Sequence, residues 1–222
     1  MKITPIGIYG PYPAAFGASG CYLVEGETRI VLDLGCGAFS RLRGFADPSL
    51  VDAFVLTHLH YDHFCDVLPL SYYPGKHVVY CPGTPADRFS LIKNSAALDV
   101  RVIGEGVGIH IGNTELSFTR TAHGVETYAV RVSENGRSFV YTSDTAWFDG
   151  LVGFCRGSEL ILSDCCPTDG TPHMAVADVA RLQKETGVRT VAVHLDPEGG
   201  NKEKLRAAGI EYVKEDEPII LW

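Results

Sequence analysis

Residues 51–63 read VDAFVLTHLHYDH: an apolar run of buried-strand type leads straight into His58, His60, Asp62 and His63. Three of the chain's eight histidines and an aspartate fall within six residues, which constrains the fold more than any other feature. A buried strand that ends in four ligand-type side chains needs further ligands brought to the same end. In α/β chains such sites collect at the carboxyl ends of strands. On extended backbone residues two apart point the same way, so His58 and His60 can grip one ion from one side. Asp62 and His63 follow where the chain turns into a helix and face the other way. That arrangement asks for two ions rather than one. Imidazole with carboxylate suits zinc, iron or manganese better than calcium.

The remaining ligands are expected where later strands stop. His123 closes TELSFTRTAH, Asp144 closes RSFVYTSD, and His194 stands near the end of TVAVHLD. A carboxylate at position 144 can bridge two ions. Early strands are read at KITPIGIYG, CYLVEG and TRIVLDLG, then at HVVYCPG and RVIGEG around a short helix near 85–97. A meander follows (GIHIG, TELSFTRTAH, TYAVRVSENG, RSFVYTSD), with a hairpin turn at Glu134-Asn135-Gly136. LILSDCC is a strand, Thr171-Pro172 is expected to open a helix running to Gly187, and NKEKLRAAG is a helix. EYVKEDEPIILW reads as a last strand pair or edge. With 24 glycines and 12 prolines, the expectation is a loop-rich α/β protein forming one domain over 1–222.

Charge and cysteine usage remove several classes. A net charge of −8 without a visible basic face argues against a protein that grips nucleic acid through many phosphates. No run of eighteen apolar residues exists to span a bilayer. The opening MKITPIGIYGPYPAAFG is broken by glycine and proline where a secretion signal needs an unbroken apolar core. The seven cysteines are odd in number and lack a CxxC pair, a pattern of reduced thiols. The expected compartment is the cytoplasm. Neither zinc-finger ligand spacing is present, which disfavours a structural zinc site.

HLHYDH, His123, the Ser143-Asp144-Thr145 triplet and His194 together resemble the metallo-β-lactamase superfamily of binuclear metallohydrolases, in the family's order and over nearly the whole chain. The resemblance implies a four-layer αββα sandwich with the site at one edge of two packed sheets. It gives His58, His60 and His123 to a first metal, Asp62, His63 and His194 to a second, and Asp144 to both. Zinc is the first expectation, with manganese or iron as alternatives. An aspartate at 144 is unlike the classical β-lactamase branch, which carries cysteine there. TRTAHGVETYAVRV lacks the GHTPG signature of glyoxalase II-type thiolesterases. GTPHMAVADVARLQKETGVRTVAVHL resembles the ribonuclease Z-like phosphodiesterase branch, in which a histidine opens a helix shortly before the last ligand. His173 matches it, and the resemblance implies that it acts on the leaving group. The alternative reading is a helix cap.

Two departures bear on substrate. Features of the tRNA-processing members are missing: His123 and Asp144 are only 21 positions apart, leaving no room for a tRNA-gripping arm, and SDCC (163–166) replaces the HEAT-like motif. A tRNA substrate is therefore not expected. The expected activity is hydrolysis of a small or cyclic phosphodiester or nucleotide by a hydroxide shared between two metals, with Asp62, Asp144 and His173 the catalytic residues. Carboxylic ester, thioester or lactone hydrolysis is the alternative chemistry at the same centre, and a non-enzymatic metal-binding module the alternative class. From its relatives a homodimer is the expected assembly. Asp66 is either a partner orienting a ligand histidine or a helix N-terminal charge. Asp164 is a candidate second hydrogen-bond partner, and Tyr128 and Trp147-Phe148 are either pocket walls or core. The 10–20 loop and Cys165/Cys166 are further candidates to border the pocket, and His77 and His110 read as structural.

Overall fold

A computed structural model describes residues 1–166 and 172–221. β1 (Lys2–Gly7), β2 (Cys21–Glu25), β3 (Arg29–Leu32), β4 (Ala53–Val55), β5 (His77–Cys81) and β6 (Leu98–Val102) lie side by side in one sheet. β7 (Gly108–Ile111), β8 (Thr114–Arg120), β9 (Tyr128–Glu134), β10 (Arg137–Tyr141), β11 (Leu160–Asp164), β12 (Arg189–Val193) and β13 (Glu211–Tyr212) form the second. β14 (Ile219–Ile220) returns to the first sheet and pairs antiparallel with β1. Each sheet starts antiparallel and finishes parallel: β3 through β6 run together in the first, and β10 through β13 in the second.

Alternation along the strands builds three apolar layers. In β2 and β3, Tyr22, Val24, Ile30 and Leu32 face the second sheet and meet Phe118, Val130 and Phe139. Their neighbours Cys21, Leu23 and Val31 face outward beneath α1 (Ala38–Leu42), α3 (Val67–Leu70) and α4 (Ala86–Lys93) through Leu42, Val67, Leu70 and Ile92. This period of two, apolar on both faces, is what a sheet covered on both sides requires. On the far side α5 (Leu151–Cys155), α6 (Val176–Thr186) and α7 (Lys202–Ala207) pack Leu151, Val179, Leu182 and Leu205 onto the second sheet. The layers are helix, sheet, sheet, helix, the expected αββα sandwich. Across the middle the Tyr22 and Tyr141 rings meet at 5.0 Å.

Two expectations about elements need correction. The helix placed at Thr171-Pro172 begins only at Val176, after Ala175 as N-cap, and Thr171 lies outside the described residues. Met174 is held back by its carbonyl, which accepts the Cys166 N–H, while the Asp178 carboxylate accepts the Ala175 N–H at the true start. For the last segment the pair reading fails and the edge reading holds: β13 is an edge of the second sheet and β14 of the first. No helix among the described residues is long and apolar enough to cross a membrane.

Candidate active site

The parallel halves of both sheets present their carboxyl ends to one edge of the sandwich, and the side chains in question hang from those ends. β4 stops at Val55 and Thr57–His60 follow in irregular backbone. His60, extended at φ −76 and ψ 148, is the N-cap of α2 (Tyr61–Phe64), which carries Asp62 and His63 in its first turn. Asp33 after β3, Ser143 after β10 and His194 after β12 all have left-handed backbone, with φ of 57, 52 and 55. Positive φ is unfavourable for such residues and concentrates at functional sites. Here each sharp turn swings a side chain off a strand end into the same space.

The seven expected ligands come together. His60 Nδ1 lies 3.1 Å from His58 Nε2 and 3.1 Å from His123 Nε2. Asp144 Oδ2 is 3.6 Å from His58 Nε2, 3.8 Å from His123 Nε2 and 3.5 Å from His194 Nε2. Its other oxygen is 3.3 Å from His63 Nε2. Asp62 Oδ2 completes the second group, 3.5 Å from His63 Nε2 and 3.4 Å from His194 Nε2. Around an ion with 2.0–2.1 Å bonds to nitrogen, tetrahedral ligand atoms are about 3.3–3.4 Å apart. Asp144 therefore stands between a His58/His60/His123 set and an Asp62/His63/His194 set.

These donors fit divalent ions by their chemistry. His63 Nε2, both His194 nitrogens and Asp144 Oδ1 are buried without a hydrogen-bond partner, an arrangement that costs free energy unless something else binds there. For His63, His123 and His58 the opposite nitrogen has a polar neighbour, as metal ligands in general do. His63 Nδ1 donates to Asp33 Oδ2 at 2.8 Å and His123 Nδ1 to the Pro172 carbonyl at 3.1 Å. His58 Nδ1 lies 3.3 Å from Thr57 Oγ1. Asp33 is the residue the sequence reading missed. Besides His63, it accepts from the Thr57 N–H at 2.7 Å, the Thr57 hydroxyl and the Tyr141 hydroxyl. An aspartate closing the apolar strand TRIVLDLG was the available signal.

Charge balance points the same way. Burial alone would disfavour the His63 and His194 cations, yet the surrounding carboxylates outweigh it. Asp144, Asp62 and Asp33 hold His63 well above the usual histidine range, and Asp144 with Asp62 takes His194 up to about 10. His60 behaves oppositely, pushed down to about 4 by burial and by His123. The carboxylates thus demand positive charge at the middle of the cluster, which protons or metal ions can supply.

A cavity of about 620 Å³ opens over the cluster, bordered by His60, Asp62, His123, Asp144, His173 and His194. The 10–20 loop contributes Gly10, Pro11 and Tyr12 to it, and Cys166 lies on its wall. Gly10 is pressed against His194, whose imidazole would overlap any added Cβ. His173 Nδ1 donates to Asp164 Oδ2 at 2.9 Å and lies 4.0 Å from Asp144. Asp164 is fixed in turn by the Thr145 N–H at 2.9 Å. Burial works against the His173 cation, but the bond to Asp164 prevails and raises its pKa. His173 does not serve as a helix cap, since Ala175 holds that position.

Other candidates fall away from the site. Asp66 touches no ligand histidine and instead accepts the Phe39 N–H at the start of α1. Tyr128 is buried in the core, Trp147 lies beneath the Arg181 guanidinium, and neither borders the cavity. Cys165 is buried, and its carbonyl accepts from Asn201. His77 is buried against Phe54, and His110 is exposed on β7.

Residues 28–195 match the family model described as the Beta-lactamase superfamily domain. The chain is 30% identical over 226 residues to the probable metallo-hydrolase YhfI of Bacillus subtilis, covering 93% of this chain and 91% of that one. The crystal structure of YhfI, a metallo-beta-lactamase fold protein, superposes with a TM-score of 0.91 at 26% identity, over 99% of both chains. Human tRNase Z, short form, has the same fold at a TM-score of 0.79 and 17% identity, over 100% of both chains. A diphosphatase from the PhnP family gives 0.80 and 18%, over 100% of this chain and 98% of the other.

Proposed function

Because the chain belongs to the β-lactamase superfamily of metallo-hydrolases, with its ribonuclease Z-like relatives, we propose that it is a binuclear phosphodiesterase acting on small or cyclic phosphate esters. His58, His60 and His123 would hold one divalent ion, Asp62, His63 and His194 the other, with Asp144 shared, and zinc is the ion this nitrogen-rich set favours. Such ions supply a water-derived nucleophile at neutral pH and neutralise charge building on phosphoryl oxygens.

The observation that carries the phosphodiester reading is the His173–Asp164 pair at the cavity wall. A departing alkoxide is a poor leaving group and needs a proton. Asp164 fixes the ring through Nδ1 and favours its charged form, so Nε2 is the nitrogen placed to deliver that proton. General-acid help of this kind contributes about 10²–10⁴ in rate. Asp33 keeps the His63 ring oriented.

The test is hydrolysis of bis(p-nitrophenyl) phosphate by zinc- or manganese-loaded protein, beside Asp144→Ala and His173→Ala. Asp144→Ala should lose both turnover and a full complement of metal. His173→Ala should lose much more on alkyl esters, which need the proton, than on nitrophenyl esters, whose leaving group does not. Full activity with two metals in Asp144→Ala would overturn the ligand assignment. Faster turnover of carboxylic esters or lactones than of any phosphodiester would replace the reading with the acyl alternative.

A further inference from the structure

The cavity over the metal-binding cluster has one cationic side chain on its wall besides the histidines. Among the described residues, Arg88 is the only lysine or arginine bordering it, in a chain of net charge −8. The guanidinium is held from two sides. Its Nη1 donates to the Leu59 carbonyl at 2.8 Å, and its carbon lies over the Tyr61 ring, 5.0 Å from the centroid. Leu59 sits between His58 and His60, and Tyr61 precedes Asp62, so the positive group is anchored to the very segment that carries four expected ligands. Among the described residues no carboxylate lies within ion-pair distance of Arg88, whereas the guanidiniums of Arg41, Arg101, Arg137, Arg181 and Arg189 each have an acidic partner. With five N–H donors and one spent on Leu59, most of the fork is unspent.

A guanidinium stacked on an aromatic ring and pinned by a carbonyl has lost most of its freedom before any ligand arrives, so less is lost when it closes on an anion. Its planar fork matches the two oxygens of a phosphate or carboxylate. Asp62 and Asp144 on the same wall belong to the metal-binding cluster, and Asp196 accepts the N–H groups of Glu198 and Gly200. None of them is within reach to neutralise Arg88. The same wall includes Pro11, Tyr12 and Pro197.

We propose that Arg88 is an anion-recognition residue, and that the substrate carries a second anionic group in addition to the scissile phosphodiester. This rests on the phosphodiesterase reading, in which the scissile group is held at the histidine cluster and Arg88 takes the other charge. The substrate class is then a phosphodiester bearing a separate terminal phosphate or carboxylate, as in a nucleotide cyclic phosphate that is also phosphorylated elsewhere. Arg88 binds and orients, and takes no part in proton transfer.

The test compares adenosine 2′,3′-cyclic phosphate with its 5′-phosphorylated form, using metal-loaded wild-type protein, Arg88→Ala and Arg88→Lys, with bis(p-nitrophenyl) phosphate as a singly charged reference. Wild type should prefer the 5′-phosphorylated probe by about 10–100-fold in kcat/KM, chiefly through KM, as expected for one charge-assisted bidentate contact. Arg88→Ala should abolish that preference, its loss on the doubly charged probe exceeding its loss on the singly charged one at least tenfold. Arg88→Lys, which keeps the charge without the fork, should retain only part of the preference. Equal kcat/KM for the two adenosine probes in the wild type, or an undiminished preference in Arg88→Ala, would overturn the assignment while hydrolysis of the reference diester left the phosphodiesterase reading standing. Absence of turnover on all three diesters by metal-loaded wild type would instead overturn the phosphodiesterase reading, and the Arg88 role with it.

Discussion

Asp33 shows how much a single buried side chain can decide. Its two oxygens take the Thr57 N–H, the Thr57 and Tyr141 hydroxyls and the His63 Nδ1–H. One carboxylate thereby joins β3, the segment after β4, the second sheet and the His63 ring. Tyr141 in turn packs against Tyr22 in the core, the rings tilted by 55°, so the orientation of His63 is tied to the packing of both sheets. Outer partners of this kind tune metal affinity by about 10–100-fold when removed. Asp33→Asn keeps the shape but puts an amide N–H where an oxygen accepts. We expect it to weaken binding of the ion at Asp62, His63 and His194 by that factor, with circular dichroism unchanged. Competition titration against a chromophoric chelator measures this, and wild-type affinity at both sites would mean that His63 needs no such brace.

At the scale of elements the site is a meeting of strand ends and loops, and there the sequence was readable in some places and silent in others. The cluster after β4 was legible because four ligand-type residues crowd one short segment. His123, Asp144 and His194 were legible because each ends a run with clear strand periodicity. Asp33 was not, because its partners lie 24, 30 and 108 positions away and no local spacing encodes them. The start of α6 was misplaced because Pro172 is a strong N-terminal signal, while the Met174 carbonyl bond to Cys166 that delays the helix is tertiary. β13 and β14 have only two residues each, too few for any period to separate a hairpin from strands in opposite sheets. The loop after β1 was read as a candidate to border the pocket, and the need for glycine at one of its positions is specific. Gly10 receives support from Leu195, whose carbonyl accepts its N–H at 3.2 Å, and its bare Cα lies against the His194 imidazole. Gly10→Ala should push that ring off the shared position and lower bound metal from two ions per chain towards one, as read by elemental analysis after gel filtration. Two tightly held ions in the variant would show that the loop yields instead of the ring.

For the whole molecule the cluster is a cost that ligand binding offsets. Folding brings His58 Nε2 and His123 Nε2 each within hydrogen-bond distance of His60 Nδ1 and buries Asp144 Oδ1 and His63 Nε2 without partners. Groups like these are destabilising when left unpaired. Both sheets contribute to the cluster, His58, His60, Asp62 and His63 beside the first and His123, Asp144 and His194 beside the second. Ions bound there would therefore tie the two halves of the sandwich together, and anything that binds only the folded state stabilises it. Free metal at about a thousand times its dissociation constant adds about 4 kcal/mol per site, and for a chain of this length each kcal/mol moves Tm by about 2–4 °C. Protein stripped with a chelator should melt below the zinc-loaded form by on the order of 10 °C for each ion bound. The pH dependence follows from the ion-free cluster, where His63 is held well above the usual range and His194 up to about 10. Both are protonated near neutral pH and must give up their protons to bind metal. Raising the pH from 6 to 8 lowers the proton concentration that competes with the ion, so the gap between loaded and stripped protein should widen. Differential scanning calorimetry at fixed free zinc reads both effects, and coincident melting curves across that range would place the metal-binding free energy outside the folded cluster.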